Sequence, residues 1–217
     1  MRFVFEQVRT GGDRNFGYLL GDRDAGVALL IDPSPDPQPL LERAHAQGLN
    51  VSLILNTHGH SDHTEGNAQA KSRTGAPVAG GPGHPGPVDR VLRDGERIPF
   101  GEFTMKVWHV PGHIPDHLAF LVEDLDAGIT GDLLFVGTVG GTYSDQDGRT
   151  EWDSLQRLLR KWPPRTTLWP GHDYGARPSS TLELERRSNP FLLCEDVDAF
   201  LRLKATWASF KARHGLR

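Results

Sequence analysis

The chain has 217 residues, a formal charge of −4, 37% hydrophobic residues and a single cysteine, Cys194. That length can bury a sizeable core in one large domain, the charge gives no basic footprint for nucleic acid, and one cysteine excludes an internal disulfide and a thiolate-built zinc site. The first six residues lack a signal peptide's apolar core and no apolar run is long enough to cross a bilayer, so the expectation is a cytoplasmic protein with a small-molecule substrate, no nucleic-acid or membrane partner, and a monomeric or homodimeric state.

Short β-rich runs open the chain at residues 3–8, 16–21 and 25–31, separated by Gly and Asp turn signals. Residues 36–48 predict a helix, with Pro near its start and Gly at its end. Residues 51–56 are almost wholly apolar and predict a strand covered on both faces. A second helix is expected over 65–73, and Gly and Pro make 75–88 irregular apart from a short strand near Val78. Strands follow at 103–110, 118–122 and 128–130, then a long loop at 137–148, of the kind that carries function or is disordered. Apolar spacing predicts a helix over 152–162, and 166–169 reads as a short strand. Helices are expected over 180–187, capped by Ser179 or Ser180, and over roughly 195–213. With no linker in view, the reading is a single domain over 1–217 with a helical extension from about 179. Two sheets stacked between helices would satisfy every apolar face.

The chemistry is concentrated in Thr57-His58-Gly59-His60-Ser61-Asp62-His63, directly after the strand at 51–56. Neutral imidazole is the commonest metal ligand, and His-x-His aims two rings to one side of an extended segment. Asp62 and His63 can then turn toward a different point, so one loop could feed two metals. Pro111-Gly112-His113 and Pro170-Gly171-His172 each follow a strand, and a Pro-Gly turn delivers the next side chain over a sheet edge. Asp132 ends a further apolar strand, and a carboxylate, unlike an imidazole nitrogen, can bridge two cations. The donor types suit Zn, Fe or Mn rather than Mg or Ca. His117 reads as a supporting neighbour of the ligands, His109 as support or packing, and His45 and His84 as solvated. Trp152, Trp162 and Trp207 fit packed helix faces.

The order His58-x-His60-x-Asp62-His63, then His113, Asp132 and His172, resembles the metallo-β-lactamase superfamily over nearly the whole chain. The resemblance implies an α/β fold (α+β by some schemes), an αββα sandwich of two mixed sheets flanked by helices, with the site at one sheet edge. It implies that His58, His60 and His113 hold one metal, that Asp62, His63 and His172 hold a second, and that Asp132 and a hydroxide bridge them. Within the superfamily, Gly131 to Val136, Gly171-His172-Asp173-Tyr174 and Arg186 to Leu192 look like glyoxalase II and its short relatives. That implies a hydrolase of thioesters or related esters with two divalent ions, most often zinc, with Asp62 and Asp132 as catalytic residues and Tyr143, Tyr174 and Arg177 as substrate contacts. The Lys adjoining the first tyrosine in that family is Gly141 here, and the chain stops at Arg217 without that family's C-terminal helical domain, which separates glutathione recognition from thioester hydrolysis. Persulfide dioxygenases are also similar and imply one Fe(II) on His58, His113 and Asp132, although Val139-Gly140-Gly141-Thr142 stands where they carry Cys-Gly-Arg-Thr. A lactonase with a loop tyrosine is a further alternative.

Overall fold

The computed structural model describes residues 2–215. Its first half is a six-stranded sheet in spatial order β1 (Phe3–Gly11), β2 (Asn15–Asp22), β3 (Val27–Ile31), β4 (Asn50–Leu55), β5 (Val78–Gly80) and β6 (Arg90–Val91). The first three strands pair antiparallel and the rest parallel. The crossover helices of those parallel steps are α1 (Gln38–Ala46), then α2 (Ser61–Thr64) and α3 (Asn67–Thr74). The second half is another six-stranded sheet, in which β7 (Arg97–Phe100), β8 (Phe103–His109), β9 (Leu118–Val122) and β10 (Ala127–Gly131) form an antiparallel meander. β11 (Thr167–Pro170) joins β10 in parallel after the long helix α4 (Asp145–Lys161), and β12 (Ser180–Thr181) closes that edge. α5 (Leu182–Ser188) and α6 (Val197–His214) complete the chain.

Three apolar layers hold this together, as a four-layer stack requires. The inner faces of the two sheets meet at Tyr18, Leu29, Leu53, Phe100, Val107, Phe120 and Ile129. The first sheet's outer face, through Val8, Leu30 and Ile54, is covered by Leu40 and Ala44 of α1 and Ala70 of α3. The second sheet's outer face meets Leu155 and Leu158 of α4, Leu182 of α5 and Phe200 of α6. β9 and β10 are therefore buried on both faces, and each reads as an unbroken apolar or small-residue run. Among the described residues no helix is long and apolar enough to cross a membrane.

Several element boundaries differ from the sequence expectations. α4 begins at Asp145, well before residue 152, because Ser144 caps it by accepting from the Asp147 amide. Gly148, read as loop, lies in its first turns, where a side chain would strike Leu201. Residues 180 and 181 form an edge strand, so the cap of α5 is Thr181 rather than Ser179 or Ser180. β6 and β7 fall in stretches where no strand was expected, both short and on a sheet edge.

Candidate metal centre

The loops leaving β4, β8, β10 and β11 converge. His58 Nε2 lies 3.0 Å from His60 Nδ1, which lies 3.1 Å from His113 Nε2. Beside this group, His63 Nε2 is 3.1 Å from His172 Nε2 and 3.6 Å from Asp62 Oδ2, and His172 Nε2 is 3.4 Å from the same oxygen. Asp132 stands between the two groups, with Oδ1 3.5 Å from His63 Nε2 and Oδ2 3.3 Å from His172 and 3.8 Å from His113. Donor atoms around a tetrahedral cation at about 2.0–2.1 Å sit about 3.3 Å apart, so both clusters have the spacing of a metal shell. All seven residues expected from the sequence are brought together.

The opposite nitrogen of four of these rings is tied to a carboxylate, a carbonyl or a hydroxyl whose own proton is already committed, which fixes the tautomer. Asp32 accepts from the Thr57 amide at 2.8 Å and the Thr57 hydroxyl at 2.6 Å, so the hydroxyl oxygen is left to accept from His58 Nδ1 at 3.0 Å. The same carboxylate accepts from His63 Nδ1 at 3.0 Å. His113 Nδ1 donates to the Gly141 carbonyl at 2.7 Å, and His172 Nδ1 to the Asp13 carbonyl at 2.9 Å. In each case Nε2 keeps its lone pair and faces the centre. Asn15 orients Asp62 by donating to Oδ2 at 2.9 Å and to its carbonyl at 3.1 Å. His117, expected as a supporting residue, accepts the Asp132 amide on Nε2 at 3.0 Å and stacks on His58. His109 instead donates to the Pro115 carbonyl at 2.8 Å.

Charge within the cluster is divided in the same way. Burial, followed by the neighbouring imidazoles, holds His58 well below the ordinary histidine range, so it is neutral. Burial also opposes a charged His63, yet without an ion Asp132, Asp32 and Asp62 outweigh it and lift its pKa to about 9, so a cation at Nε2 would take the place of that second proton. Burial works against an ionised Asp132, but His63, His172 and His113 hold it below the usual carboxylate range. Its Oδ1 is buried without a hydrogen-bond partner, which is the state of a carboxylate oxygen aimed at a cation. The residues present therefore fit a divalent metal group.

A cavity of about 940 Å³ opens from His113 and Asp132, within the range of small-molecule sites. Tyr174 lies on one wall, stacked on His172 at 4.6 Å, and its hydroxyl donates to Asp13 Oδ2 at 2.8 Å. Tyr143 is 78% exposed at the mouth, with its hydroxyl 3.3 Å from His60 Nε2. Arg177, expected as a substrate contact, is exposed and does not line the cavity; Arg14, over the Tyr174 ring at 4.8 Å, does. The far wall comes from α6 through Leu201, Lys204, Ala205, Trp207 and Lys211. Sequence reading missed Asp32, Asn15, Arg14 and Lys204. Only Asp32 had a local signal, since Ile31-Asp32-Pro33 ends a strand as Asp132 does, with a φ of 47°.

A family model described as the metallo-β-lactamase superfamily matches residues 10–172. The chain belongs to that superfamily. Its two stacked mixed sheets between helices are the superfamily's αββα sandwich. A curated hydroxyacylglutathione hydrolase from Rhodospirillum rubrum is 37% identical over 78% of this chain and 66% of its own length, so the chain spans about two thirds of that relative. The human persulfide dioxygenase ETHE1 is 32% identical over 90% of the chain and 78% of its own length. The crystal structure of ETHE1 from Myxococcus xanthus superposes with a TM-score of 0.86 at 28% identity, covering 94% of this chain and 91% of that one. The relatives are metallo-enzymes of two reaction classes, a hydrolase and a dioxygenase.

Proposed function

We propose that the protein is a two-metal hydrolase of a thioester or related ester, with His58, His60 and His113 on one ion, Asp62, His63 and His172 on the other, and Asp132 shared. The observation that carries this reading is the second triad. Asp62, His63 and His172 are as fully oriented as the first group, through Asn15, Asp32 and the Asp13 carbonyl. That outer scaffold is what a second ion would need to be held in place. Zinc is the first choice for a site of imidazoles and carboxylates, with iron and manganese next.

When bound, such a pair polarises a carbonyl and lowers the pKa of a shared water enough to supply hydroxide near neutral pH. The chain's own residues bind and orient. Phe135, Val139 and the Gly140–Gly141 segment line the cavity beside His113 and Asp132. Tyr143 sets a hydroxyl at the mouth, and Arg14 and Lys211 bring positive charge to the wall, suited to a substrate with an anionic arm. A thiolate departs without protonation, so the cavity needs no general acid beyond the ligands. The 37% identity to a hydroxyacylglutathione hydrolase supports the same bond type.

A second reading is favoured by the 90% coverage against the human persulfide dioxygenase: one Fe(II) on His58, His113 and Asp132, a two-histidine, one-carboxylate set. Elemental analysis together with a substrate panel separates the two. The hydrolase reading expects about two Zn, Fe or Mn per chain and turnover of S-lactoylglutathione, another thioester or a lactone. A single iron, with oxygen consumed on glutathione persulfide and no hydrolysis, would overturn it.

A further inference from the structure

We propose that Lys204, on α6, is a positioning residue of the metal centre, holding the 137–144 loop against α4 so that the Gly141 carbonyl stays in register with His113. The proposal rests on the metal-centre part of the functional reading and not on the choice of substrate. Lys204 has 12% of its side chain accessible, and it reaches a Glu151 carboxyl that is wholly buried. Its ammonium donates to Glu151 Oε2 and, at 2.6 Å, to the Gly140 carbonyl.

These two acceptors belong to the two halves of a bracket around His113. One half is α4. Gly112 has φ +139° and so little room that a side chain there would come within 2.4 Å of the Glu151 amide nitrogen and Cβ. Glu151 thus lies directly under the turn that delivers His113, and Ser154, one turn on, donates to the Pro111 carbonyl at 2.6 Å. The other half is the loop. Gly140 packs so tightly that a Cβ would fall 2.0 Å from the Asp132 carbonyl and 3.1 Å from His113 Nδ1, and the adjacent Gly141 carbonyl accepts that Nδ1 proton. Lys204 joins the halves. Gly148 lets α6 approach α4 closely enough for the reach, since a side chain there would lie 2.5 Å from Leu201.

A buried lysine–carboxyl contact of this kind adds little net stability, because desolvation offsets the attraction, and apolar replacement is often neutral or better. What the ammonium supplies is direction: an apolar side chain could fill the space but could not hold a carbonyl. Loss of a ligand's outer partner commonly lowers metal affinity ten- to a hundredfold.

The test is Zn(II) affinity of the full chain by chelator competition, with melting temperature and amide exchange of residues 137–144 read on the metal-free protein. Lys204→Met is expected to weaken zinc binding at the site that includes His113 by about tenfold and to speed loop exchange. Because that variant leaves a buried carboxyl without its partner, the double variant Lys204→Met/Glu151→Leu is measured beside it. It should recover the melting temperature while keeping the weakened zinc binding and the fast loop. Glu151→Gln keeps an acceptor for Lys204 and should bind zinc within about twofold of the parent. Recovery of zinc affinity along with melting temperature in the double variant would mean that Lys204 is merely structural and would overturn the proposal. A parent chain that takes up no zinc would overturn the metal centre itself, a result distinct from variants that all bind as the parent does.

Discussion

Asp32 touches no substrate and holds no metal in the proposed scheme, yet it controls two ligands. One oxygen takes the Thr57 amide, and the other takes both the Thr57 hydroxyl and His63 Nδ1. Through Thr57 it also dictates the tautomer of His58. Asp32→Asn replaces one of those oxygens by a donor, which sets an N–H against either the Thr57 amide or the His63 ring. Metal affinity should fall ten- to a hundredfold in chelator competition, with the sandwich still folded by circular dichroism. Retained affinity would show that the outer hydrogen bonds do not orient the ligands. Glu151 makes a separate, pH-dependent contribution. Burial lifts its pKa to about 8, with the Lys204 ammonium pulling the other way. A carboxyl raised in the folded state stabilises the fold below its ordinary pKa and loses that contribution as pH rises through about 8. Glu151→Gln removes the titration, so the variant should gain on the parent in urea stability between pH 5 and pH 9 when both are metal-free. Parallel stability curves would contradict the assignment.

The turns at the strand ends work because they leave no room for a side chain. Gly171 lies between Asp132 and His63: an added Cβ would stand 2.2 Å from Asp132 Oδ1 and 2.9 Å from His63 Cε1. Its amide donates to the Gly131 carbonyl at 2.8 Å, and its carbonyl accepts the Phe16 amide at 2.8 Å, joining β2 to β11 across the open edge of the stack. Gly171→Ala should therefore cost about 1–3 kcal/mol by overpacking and push the shared carboxylate away from both triads. The measured outcome is a modest fall in melting temperature with a much larger fall in metal content. A variant that loses neither would show that the turn has slack the structure does not display. α6 follows the opposite logic. Its apolar residues pack on Phe191 and α4 while Lys204 and Lys211 face the cavity, so one helix is both cover and wall.

Across the whole molecule, the metal centre is also a clamp. Its candidate ligands come from the loops of both sheets, and residues as far apart as Asp13 and His172 meet there. Ions that bind only the folded state stabilise it by about 4 kcal/mol at a thousand times the dissociation constant. For a chain of this length each kcal/mol moves the melting temperature by about 2–4 °C. Exhaustive chelation should thus lower the melting temperature by on the order of 10 °C, reversibly on adding zinc. An unchanged melting curve would mean that the folded chain binds no ion with useful affinity and would count against the metal centre.

The sequence by itself located the seven side chains of the candidate centre, because His58 to His63 and the twice-used Pro-Gly-His turn put chemistry at strand ends in a pattern that packing does not require. It also determined the layered fold, through long apolar runs for buried strands and helical spacing for covers. The start of α4 was legible in principle from the cap at Ser144, but Gly148 in the first turns masked it. Tertiary structure decided which nitrogen of each imidazole faces inward, since those partners are 25 or more residues away for Asp32 and 159 for Asp13. It also decided that Arg14 rather than Arg177 lines the cavity, and that Lys204 meets Glu151 and Gly140. Contacts of that kind leave no periodicity or spacing in the chain, because they arise only where separately folded strand ends and helices are packed against one another.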